Sequence, residues 1–249
     1  MDREAIYARL QAPAELDYEH YLNTERLLSC QKDFGALVNH DELQFQIVHQ
    51  VEELWMKLIA FTLLEVDDYM KAGETHRVVT LMGRAHQLLR LMTSQLDLLE
   101  TMSPKEYQQI RLQLGNGSGQ ESPGFRTLLK MPIHLWDTFV ASYLEPKGRT
   151  VRSIYDQDYA HDAAYAVAEA LIDFDELFGL FRWRHLFLIH RSIGMGSASL
   201  KGRSVDLLQS GAKHRFFPEL WDVRVAMTDD WGGEYGRVRD SLTAGGAAA

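Results

Sequence analysis

The sequence predicts an all-α protein, a helical bundle, and three observations carry that prediction. Apolar residues recur in steps of three and four through two long stretches, residues 41–70 and 76–100. Runs that alternate with period two, the mark of a half-buried strand, are scarce. The tetrad "SPKE" at residues 103–106 is a strong helix start, with Ser103 as N-cap, Pro104 at the first helical position and Glu106 placed to close a capping box.

Taken in order, residues 1–30 read as an acidic N-terminal arm with a short amphipathic segment, "YEHYLNTERLL". The helix over 41–70 carries the stripe Leu43, Ile47, Val51, Leu54, Leu58 and Phe61, and 76–100 repeats the pattern. A short helix runs from "SPKE" through Leu114. The segment "GNGSGQESPG", residues 115–124, then interrupts the helical pattern with four glycines and a proline. Such a stretch is a linker, or a place where backbone approaches something closely. Helices follow near 131–145 and over the aromatic-rich 159–194, which ends in "IGMGSASLKGRS". After "FFPELWDVRVAM" the composition turns to Gly and Ala, and the tail, about 232–249, reads as frayed. With no repeat and no linker composition, residues 1–249 are expected to form one domain.

Composition narrows the function classes. The 249 residues are 46% apolar, enough for a substantial core. There are 26 basic and 35 acidic residues, a net charge of −9, and no basic run, which argues against nucleic acid and anionic membrane as partners. Cys30 is the only cysteine, so neither a disulfide framework nor an all-cysteine metal site can form. No apolar run approaches the roughly 20 residues of a membrane span, and the acidic start lacks an apolar signal core. The expectation is a cytoplasmic protein.

Histidines on helices are the main carriers of chemistry. His40 and His49 are nine residues apart, so they point in opposite directions and cannot share a ligand. His40 sits near the helix start and reads as exposed or capping. His49 lies away from the main stripe, on a second face with Phe45 and Met56, edged by Glu52. That face packs another helix or a partner subunit, or it lines a ligand pocket; periodicity does not choose. His185, in "FRWRHLFLIHRSIG", is either a satisfied core histidine or an axial ligand to a flat iron macrocycle, with Arg182 and Arg184 beside it for anionic substituents. Arg111, one helical turn after Tyr107, is a surface arginine or a bidentate clamp for a carboxylate.

Other chemistries fail on spacing. A di-iron bundle needs Glu-x-x-His on two helices, and the nearest match is Asp158-x-x-His161 beside a loop. There is no His-Glu-x-x-His, no glycine-rich phosphate loop after a strand, and no Gly-x-Ser-x-Gly elbow.

Five segments in order, "YEHYLNTERLL", "HDELQFQIVHQVEELWMKL", "LETMSPKEYQQIRLQLGNGSG", "FRWRHLFLIHRSIG" and "FFPELWDVR", resemble the tryptophan 2,3-dioxygenase family. The resemblance implies an all-helical, homotetrameric enzyme with haem b held between helices. It assigns His185 as the axial ligand of the haem iron, and His49 as the distal histidine facing the substrate indole N–H. Phe45 matches the residue flanking the substrate ring, Arg111 the carboxylate clamp, and Tyr107 the tyrosine one turn before it. Ser118 matches a pocket serine near the haem. Tyr18, Tyr21 and Leu22 fall in an arm that completes a neighbouring subunit's pocket in this family.

The sequence also departs from the family pattern. Where a small-residue loop normally follows the proximal helix, this chain has "SASLKGRS". Ser199 stands at the position of a substrate-facing threonine, and Leu200, Lys201 and Arg203 replace small residues. Gln120 replaces an aromatic, and the segment between Arg126 and the proximal helix is short. The reaction implied is oxidation by O2 of the indole C2–C3 bond of L-tryptophan or a close analogue, giving N-formylkynurenine. One alternative is a monooxygenase of a methylated tryptophan, giving an oxindole or hydroxylated product. Another is a non-catalytic haem sensor.

Overall fold

In the computed structural model, residues 2–115, 117–158, 161–197, 211–230 and 232 are described. The frame is a helical hairpin with a third long helix laid along it. Helix α4 (Asp41–Lys71) turns at Gly73, whose φ of +72° suits glycine, into α5 (Thr75–Leu99). Gln44 Nε2 donates to the Leu98 carbonyl, which fixes the antiparallel register. Helix α10 (Ala163–Ile193) runs parallel to α5: His86 Nε2 bonds the Ala170 carbonyl near one end, and Arg184 pairs with Asp97 and Glu100 near the other.

Around this frame lie α6 (Pro104–Gln113), α7 (Pro123–Leu128), α8 (Met131–Phe139), α9 (Val151–Tyr155) and α11 (Pro218–Asp230). The predicted start of α6 is formed, with the Ser103 hydroxyl accepting from the Glu106 N–H at 3.4 Å. The helix expected near 131–145 is α8, prolonged by a wider π-type turn over Val140–Leu144 and stopped after Lys147 by Gly148 at φ +59°. The arm contains α1 (Arg3–Leu10), α2 (Asp17–Leu22) and α3 (Thr24–Leu28), and none of the three buries a residue. Among the described residues there is no strand, and no helix is long and apolar enough to cross a membrane.

One expectation reverses. The face that α4 buries is Val48, Met56, Ile59, Leu63, Val66 and Met70. Of the stripe read from sequence, Ile47, Leu54, Leu58 and Phe61 lie on the outside with Leu64, each between 37% and 63% exposed. α4 is apolar on two faces, and a helical period cannot say which one meets the protein's own core. Glu42 and Glu52 on this helix are buried as well.

Beyond α10 the chain returns and is fastened to that helix. The fully buried Asp175 accepts from the Phe216 and Phe217 N–H groups and from Trp221 Nε1. Arg182 donates to the carbonyls of Gly211 and His214 and lies over the rings of Phe178 and Phe216. Both arginines read as neighbours for a macrocycle's anionic groups are therefore engaged elsewhere: Arg182 in this clamp and Arg184 with Asp97 and Glu100.

Candidate active site

The first half of α4 supplies one wall. Phe45 and His49, a helical turn apart, bring their ring centroids to 4.2 Å. His49 Nδ1 lies 2.7 Å from the Phe45 carbonyl. A carbonyl only accepts, so Nδ1 carries the proton and Nε2 is left with a lone pair. Burial pushes the His49 pKa down, against smaller upward pulls from the Phe45 carbonyl and Glu53.

α6 supplies the second wall. Asn39 Nδ2 donates to the Glu106 carbonyl and to Gln109 Oε1, each at 3.0 Å, and so fixes α6 beside the start of α4. The Tyr107 ring comes within 6.4 Å of Phe45, centroid to centroid. Burial raises the Tyr107 hydroxyl pKa, and the nearby Arg111 guanidinium opposes that shift. Tyr107 and Arg111 are both half-buried.

The glycine-rich segment forms the floor. Ser118 caps the tight turn Gly119–Glu121, its hydroxyl accepting from the Gln120 N–H, while Glu121 Oε2 accepts from the Ser118 N–H. A Cβ on Gly119 would lie 3.7 Å from His185 Cε1, so the glycine faces the imidazole across a gap that one added methyl would fill. At the segment's far end the Gly124 N–H donates to Glu53 Oε2 at 3.0 Å. The loop thus bridges α4 and α10.

His185 stands on α10, its ring parallel to that of Phe181 at 6.3 Å. Its pKa is pushed down to about 4, chiefly by burial and then by His49. At neutral pH it is a neutral imidazole with a lone pair to give, the form a metal requires. Among the described residues no three His, Cys, Asp or Glu side chains converge, so a cage made wholly of side chains is not formed there. A single neutral histidine beside Phe181 and facing Gly119 fits instead a planar macrocycle that brings its own equatorial ligands.

Of the residues singled out from sequence, Phe45, His49 and Tyr107 are in ring contact, Arg111 acts on Tyr107, and His49 acts on His185. Ser118 is adjacent to the glycine that covers His185, its hydroxyl used in capping. Tyr18 and Tyr21 are 70% and 89% exposed, and Leu22 is exposed as well; no described hydrogen bond or ring contact joins these three to either histidine. Ser199, with Leu200, Lys201 and Arg203, lies outside the described residues. Sequence reading passed over Gly119, Glu53 and the buried Glu42. The four-residue spacing of Glu42, Gln46 and Gln50 was the one available signal for a used polar edge. A surface depression of about 500 Å³ between Pro123, Arg126, Lys130 and His134 holds none of the predicted residues.

A family model described as tryptophan 2,3-dioxygenase matches residues 6–131, a span that contains Phe45, His49, Tyr107, Arg111 and Ser118. The chain is 32% identical over 261 aligned positions to a tryptophan 2,3-dioxygenase of Myxococcus xanthus, covering 85% of this chain and 89% of that one. It is 28% identical to the Serratia proteamaculans enzyme of that name, covering 84% and 92%. It is 29% identical to one from Xanthomonas oryzae pv. oryzae, covering 86% and 89%. Likeness of this extent defines the class, an oxidoreductase of the dioxygenase type. The chain belongs to the tryptophan 2,3-dioxygenase family.

Proposed function

We propose that this chain is a single-domain, haem b-dependent oxygenase that uses O2 to oxidise the indole C2–C3 bond of L-tryptophan or a close analogue, giving N-formylkynurenine. The observation that carries the reading is the Phe45–His49 ring pair on α4, with Tyr107 of α6 against Phe45 and Arg111 beside Tyr107, together with the desolvated His185 of α10 facing Gly119. His185 would hold the iron, and haem supplies the redox chemistry of O2 when bound. Arg111 receives the substrate carboxylate, and its guanidinium fork suits two-point binding. Phe45 and Tyr107 offer flat apolar faces to the indole. His49 Nε2, kept free of a proton by the Nδ1–H bond to the Phe45 carbonyl, accepts the indole N–H and sets the ring's rotation. The ring orients; it need not remove the proton.

The arm residues Tyr18, Tyr21 and Leu22 serve a neighbouring subunit's pocket in a homotetramer. Two exposed surfaces support assembly: the arm itself and the outer stripe of α4. A cytoplasmic location suits the single free, exposed Cys30. The replacement of small residues by Leu200, Lys201 and Arg203 motivates a second reading, insertion of one oxygen atom into a methylated tryptophan to give an oxindole or hydroxylated product, the other atom leaving as water with two electrons and two protons from an external reductant.

The test is the haem-loaded protein turned over under ¹⁸O₂. Two labelled atoms in the product mark dioxygenation, and one marks the second outcome. A preparation that gains no Soret band with haem, or whose Soret spectrum is unchanged by His185→Ala, overturns the reading.

A further inference from the structure

Three side chains four residues apart, Glu42, Gln46 and Gln50, form a polar ladder along one edge of α4, and each rung takes a part of residues 30–38. Glu42 Oε1 pairs with Lys32 Nζ at 2.5 Å, and its Oε2 accepts from the Val38 N–H at 2.7 Å. The carboxylate side chain is only 3% exposed. Gln46 Oε1 accepts from the Lys32 N–H at 2.9 Å. Gln50 Nε2 donates to the Cys30 carbonyl at 3.0 Å, and its Oε1 accepts from Gln31 Nε2 at 2.7 Å. The same Gln31 amide reaches the Leu27 carbonyl in α3.

This strap in turn holds the arm. The Tyr7 ring of α1 stacks on Phe34 at 3.7 Å, within the strap, and the Ala14 N–H donates to Glu25 in α3. The three arm helices bury nothing of their own, so they hold their direction through the strap and the strap holds its direction through the ladder. The rungs also alternate with the pocket wall. Gln46 follows Phe45 in the chain, and Gln50 follows His49.

We propose that Glu42, Gln46 and Gln50 are positioning residues that aim the N-terminal arm, with Tyr18, Tyr21 and Leu22, at a second copy of this chain, from the same helical turns that present Phe45 and His49. The aim at a second copy rests on the reading of the arm under Proposed function; the anchorage rests on the ladder alone. Substrate binding and arm order are then coupled through one rigid stretch of α4. The ladder acts on how well the pocket is closed, not on the chemical step, so its loss raises KM more than it lowers kcat.

The test is hydrogen exchange across residues 12–38 of the full-length, haem-loaded protein, together with steady-state kinetics on L-tryptophan. Gln46→Ala and Gln50→Ala are each expected to speed exchange of the strap about fivefold for each hydrogen bond lost, and the double variant more. KM should rise about tenfold in the double variant with kcat within about twofold. The conservative variants separate positioning from bulk. Gln46→Glu keeps the acceptor for the Lys32 N–H and restores protection, whereas Gln50→Glu loses the donor to the Cys30 carbonyl and does not. Unchanged exchange in both alanine variants overturns the inference, and so does full rescue by Gln50→Glu. Faster exchange with KM unmoved overturns the coupling to the pocket. A failure of the oxygenase reading looks different: no haem is taken up, while the exchange results still decide whether the ladder anchors the arm.

Discussion

Gly124→Ala is the sharpest test of how the glycine-rich segment is mounted. A Cβ at this position would lie 2.7 Å from Met56 Cβ, 2.8 Å from Glu53 Oε2 and 3.3 Å from Met56 Cε. Carbon pairs rest near 3.5–4.0 Å, so the segment must retreat from α4 by roughly 1 Å. Met56 Cβ cannot give way, because it is fixed to the backbone of a long packed helix. Over-packing of this kind costs about 1–3 kcal/mol. The same retreat stretches the Gly124 N–H bond to the Glu53 carboxylate, a contact of the charged type worth about 1.5–3 kcal/mol. Taking about 3 kcal/mol for the sum, a chain of this size should melt about 6–12 °C lower. Gly35→Ala is the internal control, since nothing lies within 4 Å of a Cβ there and its φ is unremarkable. Thermal unfolding by circular dichroism reads both variants. A Gly124→Ala protein that melts within about 1 °C of Gly35→Ala would refute the proposed close mounting of the loop on α4.

Glu52 predicts a pH effect. Burial raises its pKa from 4.5 to about 7, and one carboxyl oxygen has no hydrogen-bond partner. The folded state therefore keeps a proton that the unfolded chain has released. Its contribution is full below 4.5 and is lost as pH rises through 7, a change of up to about 3 kcal/mol. Glu52→Gln should remove that slope, gaining on the wild type in melting temperature between pH 5 and pH 8; parallel curves would refute it. The His185 shift works the other way, stability falling as pH drops from 6.5 toward about 4, so the haem-free protein should be least stable in acid where Glu52 no longer matters. For assembly, Leu54→Glu with Phe61→Glu should lower the solution mass in light scattering while leaving the helical spectrum intact, because both side chains lie outside the single chain's core. An unchanged mass would remove α4 from the interface.

What could be read from sequence was local. Ser103 and Pro104 marked the start of α6 because a cap and the N–H that donates to it lie three residues apart. Phe45 and His49 were found as a pair because one helical turn separates them. The face of α4 that meets the core was misread, since Ile47, Leu54 and Leu58 repeat with the same helical period as Val48, Ile59 and Leu63. Contacts across the chain left no trace in spacing. Glu53 meets Gly124 after 71 residues, and Asp175 meets Phe216 after 41. Arg182 and Arg184 show the same limit from the other side: their position beside His185 suggested a role at the slot, and partners distant in sequence took them away from it.

The clamp formed by Asp175 and Arg182 bears on how this chain can change. Ser197, bonded to the Ile193 carbonyl, and Gly211, held by Arg182, are two points on the same helical frame. Side chains of α10 take up the backbone polar groups on both sides of Arg215: Arg182 holds the Gly211 and His214 carbonyls, and Asp175 the Phe216 and Phe217 N–H groups. The last helix, α11, therefore owes its seat to two side chains, and a substitution at either is felt there before it reaches the α4–α5 hairpin.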